Sequence, residues 1–206
     1  LRTEIVTTGQ NRIRSYDLAG ELLWEMDGRM SWACIATPFA ADGLLYVNSG
    51  YFQDKHRPVY AIRPGASGDI TMAEDQKSSE YVAWYQPEAG NYNTSPLVYR
   101  GLYYSVLDRG SFECYDALTG ELMYSQRKIA EQGRASFTAS PCAYNGKVFC
   151  LSEQGDTYVV EAGREFKLLG VNSLDEMSIS CPAVVGDRVL IRTVSKLYSI
   201  RQGDGT

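Results

Sequence analysis

Histidine is nearly missing from this chain: His56 is the only one in 206 residues. A histidine-based nucleophile pair would have a single candidate base, and no GxSxG turn is present to serve it. His56 stands in "QDKHRP", a charged stretch that reads as a solvated loop. The five cysteines, Cys34, Cys114, Cys142, Cys150 and Cys181, form no CxxC pair and no zinc spacing. Most lie in apolar strand-like runs and read as small buried hydrophobes, with one disulfide left open. No D-x-D-x-D-G run marks a calcium loop. The carboxylates of "LDRG" (107–110) and "SEQGD" (152–156) occupy equivalent turns and read as turn formers. Positive charge is not in excess either. The formal net charge is -5 and the basic residues are scattered, so nucleic acid is not an expected partner. No apolar run approaches the about 20 residues that span a bilayer. No stretch keeps a helical period, which leaves an all-β chain.

What is plentiful is tyrosine and glycine, 15 and 19 residues, as short strands joined by tight turns require. A phrase also recurs: "YDLAGELLW" at 16–24 returns as "YDALTGELMY" at 115–124. The prolines mark the same repeat. Pro38, Pro96, Pro141 and Pro182 each follow a small residue and precede an apolar pair, a Gly turn and an alternating strand. Pro96 to Pro141 is 45 residues, Pro141 to Pro182 is 41, and Pro38 to Pro96 is 58. The first two intervals match the about 40–45 residues of a four-stranded propeller blade, and the third carries extra loop.

Strands A to D can be named within one unit. A follows the proline and ends at a turn such as "YNGK", an Asn-Gly hairpin signal. B is "VFCLS", C is "TYVVE" and D is "FKLLGV". The recurring phrase is then the C-to-D hairpin. Asp17 and Asp116 can accept backbone N–H bonds across it. Gly20 and Gly120 can supply a positive φ. Trp24 and Tyr124 open the outer strand, where their rings can pack on the neighbouring blade.

The pattern of SP-x-x, a GxVY-like strand, an acidic-Gly turn and YD-x-x-TGE-x-x-W resembles the quinoprotein-type β-propeller repeat over nearly the whole chain. That repeat occurs in pyrroloquinoline-quinone-dependent dehydrogenases, in the outer-membrane assembly lipoprotein of Gram-negative bacteria and in many secreted bacterial proteins. The resemblance implies export, to a bacterial periplasm or cell surface. It implies a non-catalytic binding or scaffolding propeller. Part of a quinone-dependent dehydrogenase is the first alternative, and the propeller domain of a signalling protein the second. The alcohol-oxidising dehydrogenases carry a vicinal Cys-Cys pair and a calcium site. No Cys-Cys occurs here, so no cofactor is expected, with pyrroloquinoline quinone and calcium kept as alternatives.

The blades are expected at 29–88, 89–130 and 131–174, flanked by a partial blade of strands B, C and D at 1–28 and one of A, B and C at 175–206. The chain opens with "LRTEIVTTG", without an initiator Met and within a strand pattern, so a fragment is expected. It would form an open arc of a ring of seven or eight blades, with exposed end faces prone to associate.

Two loops depart from the repeat. "GYFQDKHRPVY" (50–60) falls at the end of the blade that also receives the D-to-A connections. Trp32, Tyr51, Phe52, His56, Arg57, Tyr92 and Arg109 collect at that face, a mixture suited to a protein or glycan partner. "RPGASGDITMAEDQKSSEYVAWY" (63–85) lies at the opposite end, and its Gly, Ser and acidic content predicts a mobile excursion.

Overall fold

A computed structural model describes residues 2–51, 53–130 and 135–201. The chain is all-β, built mainly from four-stranded antiparallel sheets, and no helix occurs among the described residues. Accordingly none is long and apolar enough to cross a membrane. Two compact units are present: Leu1–Tyr92 with Tyr115–Glu121, and Asn93–Cys114 with Leu122–Thr206.

In the first unit, β1 (Ile5–Thr8), β2 (Ile13–Tyr16) and β3 (Leu22–Met26) form an antiparallel meander. β4 (Phe39–Ala41), β5 (Leu44–Asn48), β6 (Val59–Ile62) and β8 (Val82–Gln86) form a second one, in sequence order. Alternation sets the faces: Ile13 and Ser15 point inward from β2 while Arg14 points out, and Trp24 and Met26 do so from β3. Pro38 sits immediately before β4, where its missing N–H costs no ladder bond.

The long connection after β6 is not the mobile excursion its composition predicts. Its residues Gly68–Asp69 form β7, which pairs in parallel with β3, Trp24 opposite Gly68 and Glu25 opposite Asp69. The first sheet thereby reads β1-β2-β3-β7. The physical reason is burial. Ala66, Ile70 and Met72 join Ile13, Trp24, Met26, Tyr60 and Val82 in one core cluster. Polar residues around them close the backbone: Ile70 N donates to Glu25 O, and Asp27 N to Thr71 Oγ1. A sheet edge that would otherwise expose unpaired groups is covered by the loop.

The second unit holds most of the β9 (Leu97–Tyr99), β10 (Leu102–Val106), β11 (Ser111–Asp116) and β12 (Leu122–Lys128) sheet. It also holds β13 (Cys142–Tyr144), β14 (Lys147–Leu151), β15 (Asp156–Glu161) and β16 (Leu168–Ser173), and the three strands β17 (Ala183–Val185), β18 (Arg188–Arg192) and β19 (Leu197–Arg201). The Asn145-Gly146 turn between β13 and β14 has φ of 47° and 73°, the left-handed pair that its sequence announces. Tyr104, Phe112, Tyr124 and Phe137 form the aromatic centre of the core, with the buried Cys114 and Cys150 among them. All five cysteines are free thiols.

The residues before three of the repeat prolines are joined in a chain of hydrogen bonds. Ser95 N donates to Ser140 Oγ at 2.8 Å, and Ser140 N donates to Cys181 Sγ at 3.2 Å. These residues precede Pro96, Pro141 and Pro182. At two of these positions the side chain, a hydroxyl in one and a thiol in the other, accepts the N–H of the residue before the preceding repeat proline.

Candidate partner-binding site

Two glycines assemble the aromatic face of the first unit. A Cβ on Gly50 would lie 2.3 Å from Gly90 O, and one on Gly90 would lie 2.1 Å from Ser49 O. Only a side chain of hydrogen lets these two backbones meet. Tyr51 follows Gly50 directly and Tyr92 follows Gly90 by two, so the close approach carries both rings to one place. Their centroids are 5.2 Å apart at 78°. Trp32, from the connection between β3 and β4, meets Tyr51 edge-on at 5.1 Å and 67°. Such edge-to-face pairs add to plain area burial. Trp32 remains 59% exposed, so one indole face is offered to solvent on a fixed support.

A polar lock lies beneath the rings. Ser31, 3% exposed, accepts a hydrogen bond from Tyr51 N through its Oγ at 2.9 Å and donates the same hydroxyl to Asp54 Oδ2. Ser31 N donates to Ser49 Oγ at 2.9 Å, and Asp54 N to Tyr51 O at 2.8 Å. Asn91 N donates to Asn48 Oδ1 at 3.1 Å. Ser49, Tyr51 and Asp54 are thus tied to the buried Ser31.

Of the residues the sequence assigns to this face, Trp32, Tyr51 and Tyr92 come together. Phe52 lies outside the described residues. Arg57 is half-buried and donates through Nη2 to Glu88 O at 2.8 Å, a bond that ties the loop down. His56 is half-buried too, rather than solvated, with its ring 6.2 Å from that of Tyr85 and its Nε2 3.4 Å from Tyr85 Oη. Burial, reinforced by the Arg29 charge and opposed by Glu88, lowers its pKa and keeps the imidazole neutral near pH 7. Arg109 lies in the β10–β11 turn of the second unit and is exposed.

Ser31, Asp54, Gly50 and Gly90 escape sequence reasoning. The signal that could have found the glycines is the parallel phrasing of "SGY" and "AGNY". Ser31 and Asp54 carry no such signal, since the side-chain bond that joins them spans 23 residues.

His56 Nε2 faces the Tyr85 hydroxyl, and no three His, Cys, Asp or Glu residues converge as metal ligands among the described residues. No two cysteines are adjacent in the sequence, so the vicinal thiol pair of the alcohol-oxidising dehydrogenases has no counterpart in these residues.

The family model described as outer membrane protein assembly factor BamB matches residues 9–206. Among curated proteins, none matches the chain. Many solved structures are similar, and two of them serve as examples. One is BamB from Moraxella catarrhalis, 10% identical over 98% of this chain and 68% of that one, with a TM-score of 0.48. The other is the computationally designed Ika8 protein, 13% identical over 95% of this chain and 70% of that one, also with a TM-score of 0.48.

Proposed function

The chain belongs to the family of the outer membrane protein assembly factor BamB, and on that premise we propose that it is a non-catalytic β-propeller that binds a protein partner. The partner is a component of the machinery that assembles outer membrane proteins, and the working compartment is the periplasm or cell surface. The docking face is built from Trp32, Tyr51 and Tyr92. One observation supports this site above others: an indole 59% exposed yet held edge-on by a tyrosine whose own backbone is locked by Ser31. Exposed tryptophans on rigid supports are the residues that dominate protein interfaces. They lose little side-chain entropy when the partner arrives.

The test starts from a photo-crosslinking residue at position 32 in the native cell. The crosslinked protein is identified, purified and titrated against the original chain and Trp32→Ala. The expected loss is about 2–4 kcal/mol, roughly 30- to 1000-fold in Kd, with an unchanged melting temperature. Equal affinities would remove Trp32 from the interface, and crosslinks to no envelope protein would remove the assembly role. The absence of a quinone belongs to the same reading. Calorimetry with pyrroloquinoline quinone and calcium should show no micromolar binding, and dye-linked alcohol oxidation should stay at background.

A further inference from the structure

A second cleft lies in the first unit, at the opposite end of the β4-β5-β6-β8 sheet from the aromatic face. Its volume is about 350 Å³ and its walls come from β1, β3, the β4–β5 hairpin and the end of β6. That is near the small end of the range for ligand pockets. Val6, Leu44, Leu45 and Ile62 provide an apolar floor, and Arg2, Glu4 and Arg63 provide the charged rim.

The rim is unbalanced, two guanidiniums against one carboxylate. Glu4 is fully engaged: Oε1 accepts from Arg2 Nε at 2.8 Å, and Oε2 from Ser15 Oγ at 2.6 Å and Trp24 Nε1 at 2.9 Å. Arg2 is engaged in turn by Glu4 and by Ala66 O. Among the described residues Arg63 has no carboxylate partner. Its Nη1 donates to Ser79 O at 2.8 Å and Glu80 O at 3.1 Å, which fixes the guanidinium plane. Its Nε and Nη2 make no hydrogen bond among the described residues. A preorganised cation with open donors thus stands over an apolar floor.

We propose that this cleft binds a small amphipathic carboxylate, with its apolar body on Leu44, Leu45 and Ile62 and its carboxylate on Arg63. The size limits the ligand to a medium-chain or single-ring acid. The open fork of Arg63 selects a carboxylate over a neutral head group, because a planar guanidinium matches the two oxygens of a carboxylate. The site is independent of partner docking, since it sits at the other end of the sheet.

Isothermal titration of the full chain with octanoate, and with octan-1-ol as the neutral comparator, tests the site. Octanoate should bind with a Kd of about 0.1–1 mM, and the alcohol more weakly. Arg63→Gln should raise the octanoate Kd about tenfold and leave the alcohol unchanged. Ala40→Phe, a change at an exposed position on the cleft wall, should abolish binding of both at an unchanged melting temperature. No saturation by octanoate, equal affinity for acid and alcohol, or indifference to either substitution overturns the proposal.

Discussion

Gly120 lies against the indole of Trp84: a Cβ built on Gly120 would sit 2.6 Å from Trp84 Cδ2. The same indole donates through Nε1 to Ala117 O at 2.8 Å, so ring and turn are held together by one bond and one bare backbone. Gly20 occupies the corresponding place in the first copy of the phrase, yet a Cβ there would meet nothing within 4 Å. Both have positive φ, 70° and 88°. Gly20→Ala should therefore cost only the backbone strain, about 1–2 kcal/mol. Gly120→Ala should add the overlap with Trp84, for a total of about 2–5 kcal/mol. Denaturant unfolding of the two variants gives the comparison, and equal losses would show that the indole moves aside freely.

The Gly20 and Gly120 pair shows how far the sequence reaches. Local chemistry is legible: Asp17 Oδ1 accepts from Ala19 N and Glu21 N, and Asp116 Oδ1 from Leu118 N and Thr119 N, as the recurring phrase suggests. The strand alternation and the proline period are legible for the same reason, since each is set by residues a few places apart. What the phrase cannot convey is which ring will lie on the turn, because Trp84 is 36 residues from Gly120. The 63–85 loop fails in the same way. Its Gly and Ser content describes the local chain, while its conformation is decided by Ile70 and Met72 entering a core that also holds Trp24. At the aromatic face Trp32, Tyr51 and Tyr92 are visible as residue types, whereas Ser31 and Asp54 act through distant partners.

Trp24 and Glu4 make stability depend on pH. Burial pushes the Glu4 carboxyl upward, but hydrogen bonds from Ser15, Arg2 and Trp24 outweigh it, and the pKa falls below its ordinary 4.5. A lowered folded pKa means that the stabilisation is complete above the unfolded value and is lost as pH falls through the folded one. Glu4→Gln should melt below the parent at neutral pH, and the gap should narrow as the pH drops below 4.5. A constant gap down to acid unfolding would show that the carboxylate is not linked to folding. Trp24→Ala, at a side chain only 1% exposed, should cost about 3–5 kcal/mol at neutral pH.

The ladder through Ser95, Ser140 and Cys181 predicts an asymmetry between two substitutions. Ser140→Ala removes the acceptor for Ser95 N and should cost about 1 kcal/mol. Cys181→Ser keeps an acceptor for Ser140 N and exchanges sulfur for the better one, oxygen. Its unfolding midpoint should stay level or rise. A drop as large as that of Ser140→Ala would mean that Cys181 contributes packing rather than a hydrogen bond.

The five free thiols should react in an order set by burial. Thiolate is the reactive form, so both access and pKa count. Cys181 is exposed. Cys142 is half-buried, and burial, with the charge of a Cys181 thiolate as a second contribution, pushes its pKa up to about 11. At pH 8 only about one Cys142 in a thousand is then a thiolate. Cys34 is also half-buried and shifted upward by burial, against a hydrogen bond with Ser49 that opposes the shift. Cys114 and Cys150 are enclosed in the aromatic core of the second unit, and burial drives Cys150 upward as well. Brief iodoacetamide treatment of the native chain at pH 8, followed by peptide mass mapping, should label Cys181 first. Cys34 and Cys142 should follow slowly, and Cys114 and Cys150 only after denaturant opens the core. Labelling of Cys150 at the rate of Cys181 under native conditions would mean that the β14–β15 core opens on the timescale of the reaction.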